Sequence, residues 1–349
     1  MDTVLKTTLL PDKEGCAAVP ETSDSDGGGL LATFFLITYN QERYIREALE
    51  GAFAQTYSPL EIVVSDDCST DGTFRIIEEM CGAYHGPHTV VVNRNPENLG
   101  LIGHINRITT LSSGELIIYA AGDDISLPWR TSKVVERYLA TGRNASSIHS
   151  PVIPIDRHGN RSEAMLPPLV ACRMDLQDMA LSGALIIGAA NAFSRKTWEL
   201  FGPIRNRHCI EDLVIGFRSA VTGGLEYIDD PLVLYRHDSG MTSAADLSVQ
   251  TCEESVRREL RFQEIYMAVL AQRIDDLKRI GRHDFIPLME KTRLREMVKH
   301  KVWSGDYSFF RIMIFSFKKG LPGLFIKSFI RVRKWRLLYP VRQRAHRRG

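Results

Sequence analysis

Three features of the sequence predict an α/β fold with a mostly parallel sheet. Four apolar runs of strand length, starting near Leu31, Leu60, Thr89 and Glu115, alternate with segments whose apolar residues recur at helical spacing. Each strand-to-helix turn is polar, as right-handed crossovers between parallel strands require. The chain has 349 residues, 44% hydrophobic and 25% charged, which are ordinary globular values for roughly two domains or one large domain with an appendage.

Residues 1–30 end in Glu21-Thr22-Ser23-Asp24-Ser25-Asp26-Gly27-Gly28-Gly29 and are too polar to form a core, so they are expected to be a disordered leader. Order is expected to begin at Leu31 to Thr38, a continuous apolar run typical of a strand buried on both faces. Tyr39-Asn40-Gln41-Glu42 then turns into a helix carrying Tyr44, Ile45, Ala48, Leu49, Ala52 and Phe53. A second strand, Leu60 to Ser65, runs into Asp66-Asp67-Cys68-Ser69-Thr70-Asp71-Gly72-Thr73 and a helix over 74–81. A third strand, Thr89 to Asn93, leads through Asn98-Leu99-Gly100 to a helix over 102–111, and a fourth, from Glu115, ends in Ala121-Gly122-Asp123-Asp124. Pro128 suits the first turn of the next helix, expected over 128–140. The pattern is then less regular until a helix from Glu211, ended by Gly223-Gly224, and two long amphipathic helices over about 250–305.

The six cysteines are scattered without a C-x-x-C pair, and the N-terminus lacks a basic stretch followed by a long apolar one, so a reduced, cytosolic protein is expected. No apolar run approaches the roughly 20 residues that span a bilayer. The net charge of +2 hides an asymmetry: no acidic residue follows Asp306, while twelve cations do, from Arg311 to Arg348. A basic tail is attached to an acidic body.

Asp123 and Asp124 leave the carboxyl end of a buried strand, the edge where open α/β sheets bind ligands. Hard oxygen ligands there suit Mg²⁺ or Mn²⁺ carrying a diphosphate, while the same pair also reads as a loop and helix-cap pair facing water. Thr38, Tyr39, Asn40 and Glu42 offer a hydroxyl, an aromatic face, an amide and a carboxylate beside free helix N–H groups, which suits a base and ribose. Neither a P-loop nor a dinucleotide fingerprint is present, so a diphosphate must be neutralised in another way.

Taken in order, Phe35 to Glu42, Ser65 to Thr73, the Asp123-Asp124 pair and the Glu211-Asp212 pair resemble the catalytic domain of family 2 glycosyltransferases over about residues 31–245. The resemblance implies the GT-A fold, a Rossmann-like, mostly parallel sheet with flanking helices, followed by a helical, basic C-terminal region over 246–349. It implies that Asp66 accepts the imide N–H of a uracil or thymine base, from a UDP- or dTDP-linked sugar. Asp123 is placed on the ribose and Asp124 on a divalent cation, Mn²⁺ or Mg²⁺. Asn98, Gly100 and Asn106 fall in the sugar-nucleotide loop. Asp212 is implied as the general base of an inverting transfer, with Glu211 positioning the acceptor and Gly183 to Phe193 forming its floor. Tyr235-Arg236-His237 resembles a late segment in which Arg236 pairs with phosphate oxygens and His237 joins the metal, although the family pattern often has one more residue between the two.

Plainer readings stand beside these. Asp67 and Asp71 also read as helix-capping acceptors, Ser69 and Thr73 as sources of local turn bonds, Glu211-Asp212 as favourable charges at a helix start, and His237 as structural. His104, His149, His158 and His208 fit no pattern.

The tail from Phe325 to Tyr339 interleaves basic and large apolar groups, which suits an anionic membrane surface better than packing on the catalytic domain or nucleic acid, for which no module is present. The sequence therefore predicts an inverting, metal-dependent hexosyl- or deoxyhexosyltransferase acting on a glycan or lipid-linked acceptor, cytoplasmic and peripheral at the inner face of the cell membrane. A non-catalytic glycan-binding or scaffold protein, or a sugar nucleotidyltransferase, are the alternatives.

Overall fold

The computed structural model describes residues 29–167, 174–236, 252–305 and 308–333. The expected leader, His237 and the tail beyond residue 333 lie outside these residues. Four strands, β1 (Ala32–Thr38), β2 (Leu60–Asp66), β3 (Thr89–Arg94) and β4 (Leu116–Ala121), form the parallel half of a seven-stranded sheet. Helices α1 (Ile45–Phe53), α2 (Thr73–Gly82) and α3 (Gly100–Thr109) connect them, as the alternating pattern predicts. The strand order is β3-β2-β1-β4-β8-β6-β9. In its far half β6 (Ser147–His149) runs parallel to β9 (Leu225–Tyr227), and β8 (Asn191–Ser194) runs antiparallel to both β4 and β6.

Continuous apolar runs are what a sheet covered on both faces demands. On β1, Phe34 and Leu36 face one core while Phe35 and Ile37 face the other. In the register, Thr38 stands opposite Asp66, Asp66 opposite Arg94, and Ile37 opposite Ala121. The turns after β1, β2 and β4 therefore open on one edge.

A second, three-stranded sheet has the order β5 (Ile125–Ser126), β10 (Val233–Arg236), β7 (Val152–Ile155). It corrects the expectation that Asp123-Asp124 runs directly into the following helix, α4 (Arg130–Ala140). β5 intervenes because Ile125 and Ser126 pair with Leu234 and Val233 more than a hundred residues later. Beyond these lie α5 (Leu176–Leu181), α6 (Arg195–Phe201) and α7 (Glu211–Val221).

Packing continues across residue 245. Helix α8 (Cys252–Arg279) contributes Ala268, Val269, Leu270, Ile274 and Leu277 to the same core as Phe35, Tyr119 and Phe217. The first turns of α9 (Ile286–Ser304) join it through Ile286 and Met289. Charges embedded in the apolar face of α8 fix its seat. Arg218 of α7 makes a buried two-pronged pair with Asp276 at 2.8 and 2.9 Å, and Gln272 accepts from the backbone N–H groups of Arg205 and Asn206. The end of α9, helix α10 (Phe309–Lys318) and the helix α11 (322–333) form a smaller cluster around Trp303 and Phe325.

Removing one partner of a buried pair strands the other. Asp276→Ala is expected to lose about 3–5 kcal/mol of stability, read as a lower urea midpoint. Lys133→Ala breaks an exposed pair with Asp230, spaced 3.5 Å, and is expected to cost less than about 1 kcal/mol.

Candidate active site

The turn after β1 is laced to the turn after β2. Asn40, in the left-handed region at φ 51°, accepts from the Thr70 N–H at 2.8 Å, Glu42 accepts from the Gly72 N–H at 2.7 Å, and Thr38 donates to Gln41. Tyr39 projects, 44% exposed. Asp71 accepts from Thr73 and from the Glu42 N–H, which keeps it in the local turn role. Gly122 closes on the same turn: a methyl there would lie 2.5 Å from Gln41 Oε1 and 2.8 Å from the Thr38 side chain.

Asp66, fully buried, accepts from the backbone and hydroxyl of Ser69, and Arg94 Nε lies 3.5 Å from its Oδ2. Arg94 is itself half exposed and stacks 4.7 Å over the Phe74 ring. Carboxylate and guanidinium thus stand side by side at the mouth of β2, a pairing the strand register brings about. Asp67 caps a helix, but a distant one. Its oxygens accept from Asn95 and from the N–H groups of Leu99 and Gly100, so it holds the Asn98-Gly100 loop and the start of α3 instead. Asn98 accepts from the Gly100 N–H at 2.9 Å. Asn106 is occupied elsewhere, because both ends of its amide bond the Ile204 backbone at 2.8 and 3.0 Å. These bonds tie α3 to the segment after α6. His104, without a role in the sequence, bonds Ser65 from below, and burial lowers its pKa to about 4.

Asp123 and Asp124 are buried at the end of β4. The carboxyl of Asp124 is held well above the usual carboxylate range, first by burial and then by the charge of Asp123. The Arg236 N–H, which donates to Asp124 Oδ1 at 2.8 Å, and the buried Arg130 guanidinium offset only part of this. Arg236 also braces this loop with its side chain. Its side chain is buried, with Nε on the Asp123 carbonyl at 3.0 Å, Nη1 on the Asp156 carbonyl at 2.7 Å and Nη2 on Glu47 at 2.9 Å, under the Tyr44 ring. These bonds fasten the acidic loop to β10, β7 and α1. The inward direction of Arg236 is set by β10 pairing with β5 and β7, which no local signal reveals.

Glu211 and Asp212 form the first turn of α7, as predicted. Glu211 is buried with Oε2 unpartnered among the described residues; Asp212 is partly exposed with Oδ1 likewise unpartnered. Burial raises both carboxyl pKa values, and Asp212 pushes Glu211 further up. Gly188, in the short turn Gly188–Ala190, presses on them: a methyl there would come 2.6 Å from Glu211 Oε1. The stretch expected as an acceptor floor thus lies against this pair. Arg273 of α8 lies beneath it, donating to the carbonyls of Leu213, Met179, Ala180 and Ser182, and its charge lowers the Asp212 pKa.

The two acidic pairs converge on Tyr119. Its phenol pKa is raised well above the ordinary value by burial and then by Glu211, Asp123, Asp212 and Asp124 together. Each of the two acidic pairs is therefore near enough to the Tyr119 phenol to disfavour its ionisation. A divalent cation suits the end of β4, since it would relieve the repulsion between Asp123 and Asp124, and two carboxylates plus phosphate oxygens are a common Mg²⁺ set. Among the described residues no group of three His, Cys, Asp or Glu is gathered as a metal site.

Residues 33–200 match the model of glycosyl transferase family 2. That stretch is a family 2 glycosyl transferase domain. The chain is 27% identical over 202 residues to the putative glycosyltransferase EpsE of Bacillus subtilis, covering 58% of this chain and 71% of that protein. It is 29% identical over 198 residues to the succinoglycan biosynthesis protein ExoO of Rhizobium meliloti, covering 56% of this chain and 53% of that one. The fold resembles S. aureus TarS 1-349, solved in complex with UDP-GlcNAc, with a TM-score of 0.53 and 14% identity over 87% of this chain and 90% of that one. The transferase domain is accordingly a GT-A fold, and the Glu211-Asp212 pair lies just beyond the matched residues.

The raised Glu211 pKa has a consequence for stability with a definite sign. A carboxyl whose folded pKa lies above its unfolded one stabilises below the unfolded pKa, and loses that contribution as pH rises through the raised value. Glu211→Gln removes the titration. Its melting temperature is expected to exceed that of the wild type near neutral pH by the equivalent of about 1–2 kcal/mol, and the two should converge near pH 4.

Proposed function

We propose that the protein is an inverting, metal-dependent glycosyltransferase that moves a hexose or deoxyhexose from a nucleoside-diphosphate sugar to a hydroxyl of a glycan or lipid-linked acceptor. The observation that carries this reading is Asp212, whose buried Oδ1 has no partner among the described residues while its carboxyl shares the Tyr119 surroundings with Asp123 and Asp124. A buried carboxylate oxygen left without a donor is costly in a folded protein, and an incoming hydroxyl is the partner it lacks.

In this mechanism Asp212 Oδ1 accepts the proton of the acceptor hydroxyl as that oxygen attacks the anomeric carbon opposite the departing diphosphate. Burial raises its pKa, which makes it a stronger base than a solvated aspartate. Glu211, pressed by Gly188, orients the acceptor. Asp66 accepts the imide N–H of a uracil or thymine base and Arg94 addresses the base's carbonyl oxygens, with Tyr39 and Asn40 alongside and Asp123 on the ribose. Asp124 would hold the divalent cation, with His237 a further ligand by its place after β10. The cation's chemistry is to neutralise the negative charge on the leaving diphosphate. Positioning and one base suffice for such an in-line displacement, and no covalent nucleophile is required.

The alternatives fit less well. A glycan-binding scaffold needs neither a base nor a paired acidic loop, and a nucleotidyltransferase needs a basic, glycine-rich loop after β1 where Thr38 to Glu42 stands. Work at the cytoplasmic face of a membrane, within envelope polysaccharide assembly, belongs to the same proposal; the name of ExoO supports a polysaccharide setting.

Asp212→Asn is expected to lower transfer by about 10²–10⁴-fold while donor binding persists. Asp124→Ala is expected to abolish the Mn²⁺-dependent thermal stabilisation that a nucleoside diphosphate confers on the wild type. Turnover close to wild type in both variants overturns the assignment. For the wild type, the acid limb of the kcat–pH profile should titrate above the ordinary carboxylate range, with activity lost as pH falls through it.

A further inference from the structure

α10 is apolar on two opposite faces. Ile312 turns inward toward the cluster of Val298, Val302 and Trp303, whereas Phe310, Ile314 and Phe317, spaced i, i+4, i+7, stand outward at 68%, 51% and 59% exposure. Gly320, at φ +70°, turns the chain back into α11, whose Phe325 and Phe329 rings lie 5.1 and 4.9 Å from that of Phe309. α11 repeats the pattern, with Phe325 and Val332 buried and Ile326 and Ile330 exposed. Single exposed apolar residues are ordinary, but a run of them along two joined helices is a contact surface. Around it stand Arg311, Lys318, Lys319, Lys327, Arg331 and Arg333, all exposed, and residues 308–333 contain no acidic side chain.

We propose that the α10–α11 hairpin is a membrane-contact element that lays its outer apolar face into an anionic phospholipid surface, with the surrounding cations at the headgroup phosphates. A second copy of the chain would fit the apolar stripe but would set six cations against six, which an anionic surface instead neutralises. The hairpin lies on the bilayer and does not cross it: among the described residues no helix is long and apolar enough to span, and the ten residues of α10 reach about 15 Å against roughly 30 Å of hydrocarbon. This deepens the functional proposal by bringing the transferase domain to a lipid-linked acceptor, and it shifts the contact from the tail sequence after Phe325 to a surface that begins at Phe310. It rests on that proposal only for the acceptor, because the lipid contact is measured without turnover.

The test is co-sedimentation of the full chain with vesicles of phosphatidylglycerol and phosphatidylcholine, and with phosphatidylcholine alone. Binding is expected for the mixed vesicles and to weaken with added salt. Phe310→Ser/Ile314→Ser/Phe317→Ser is expected to lower partitioning at least about tenfold, equivalent to about 1.4 kcal/mol, and Lys318→Glu/Lys319→Glu/Lys327→Glu to do likewise. The altered side chains are exposed, so an unchanged melting temperature and unchanged donor hydrolysis without lipid verify that each variant is folded. Full chain that ignores the mixed vesicles, or triple-serine protein that binds them as well as wild type, overturns the proposal. So does a concentration-dependent dimer that the serine variant abolishes while vesicle binding is absent. Loss of donor hydrolysis in Asp212→Asn with vesicle binding intact would bear on the catalytic reading alone.

Discussion

Two pairs of adjacent carboxylates, Asp123-Asp124 and Glu211-Asp212, are buried with like charge beside like charge, and three buried arginines support the backbone around them. Each guanidinium spends its donors chiefly on backbone carbonyls: Arg130 on Tyr119 and Asn191, Arg236 on Asp123 and Asp156, Arg273 on Leu213 and its neighbours. The charges of Arg130 and Arg236 lower the Asp124 pKa and that of Arg273 lowers the Asp212 pKa, which offsets part of the cost of burial. Contrast Arg218 and Asp276, whose two-pronged pair leaves nothing for a ligand. Indirect support of this kind leaves Asp212 and Asp124 with raised pKa values and oxygen atoms able to meet something from outside.

The nucleotide side of the cleft is assembled by a different device. Here side chains of each βα turn fasten the next: Asn40 and Glu42 reach the turn after β2, and Asp67 reaches the turn after β3. Successive turns form a laced rim whose backbone geometry depends on short polar side chains. Asp66 and Arg94 become neighbours because they are register partners on adjacent strands, so the edge of the sheet itself brings opposite charges to the same opening.

Much of this was legible in the sequence, for identifiable reasons. β1 to β4 are continuous apolar runs because both faces of the sheet are covered, and a run of that length and composition has few other uses. β5 was not legible, since two residues carry no periodicity and Ile125 is a strand only by virtue of Leu234. The direction of Arg236 was not legible for the same reason. Its local surroundings resemble a phosphate-binding segment, while its direction is decided by pairing with β7 and β5. α8 shows the limit of amphipathicity as a guide: an apolar stripe says that a helix packs, not what it packs on. Arg273 and Asp276, charges within that stripe, were the available sign that it seats against polar groups inside a shared core.

The position of Arg273 has a bearing on how the molecule comes into being. It is contributed by a helix sixty residues after Asp212 in the chain, beyond the segment that carries the family 2 signature. During synthesis the strands, the laced rim and both acidic pairs leave the ribosome first, and the cation under the candidate base arrives only with α8. A nascent chain that already holds both acidic pairs therefore still lacks the guanidinium whose charge lowers the Asp212 pKa and whose bonds brace the first turn of α7. That contact forms only once α8 has been made.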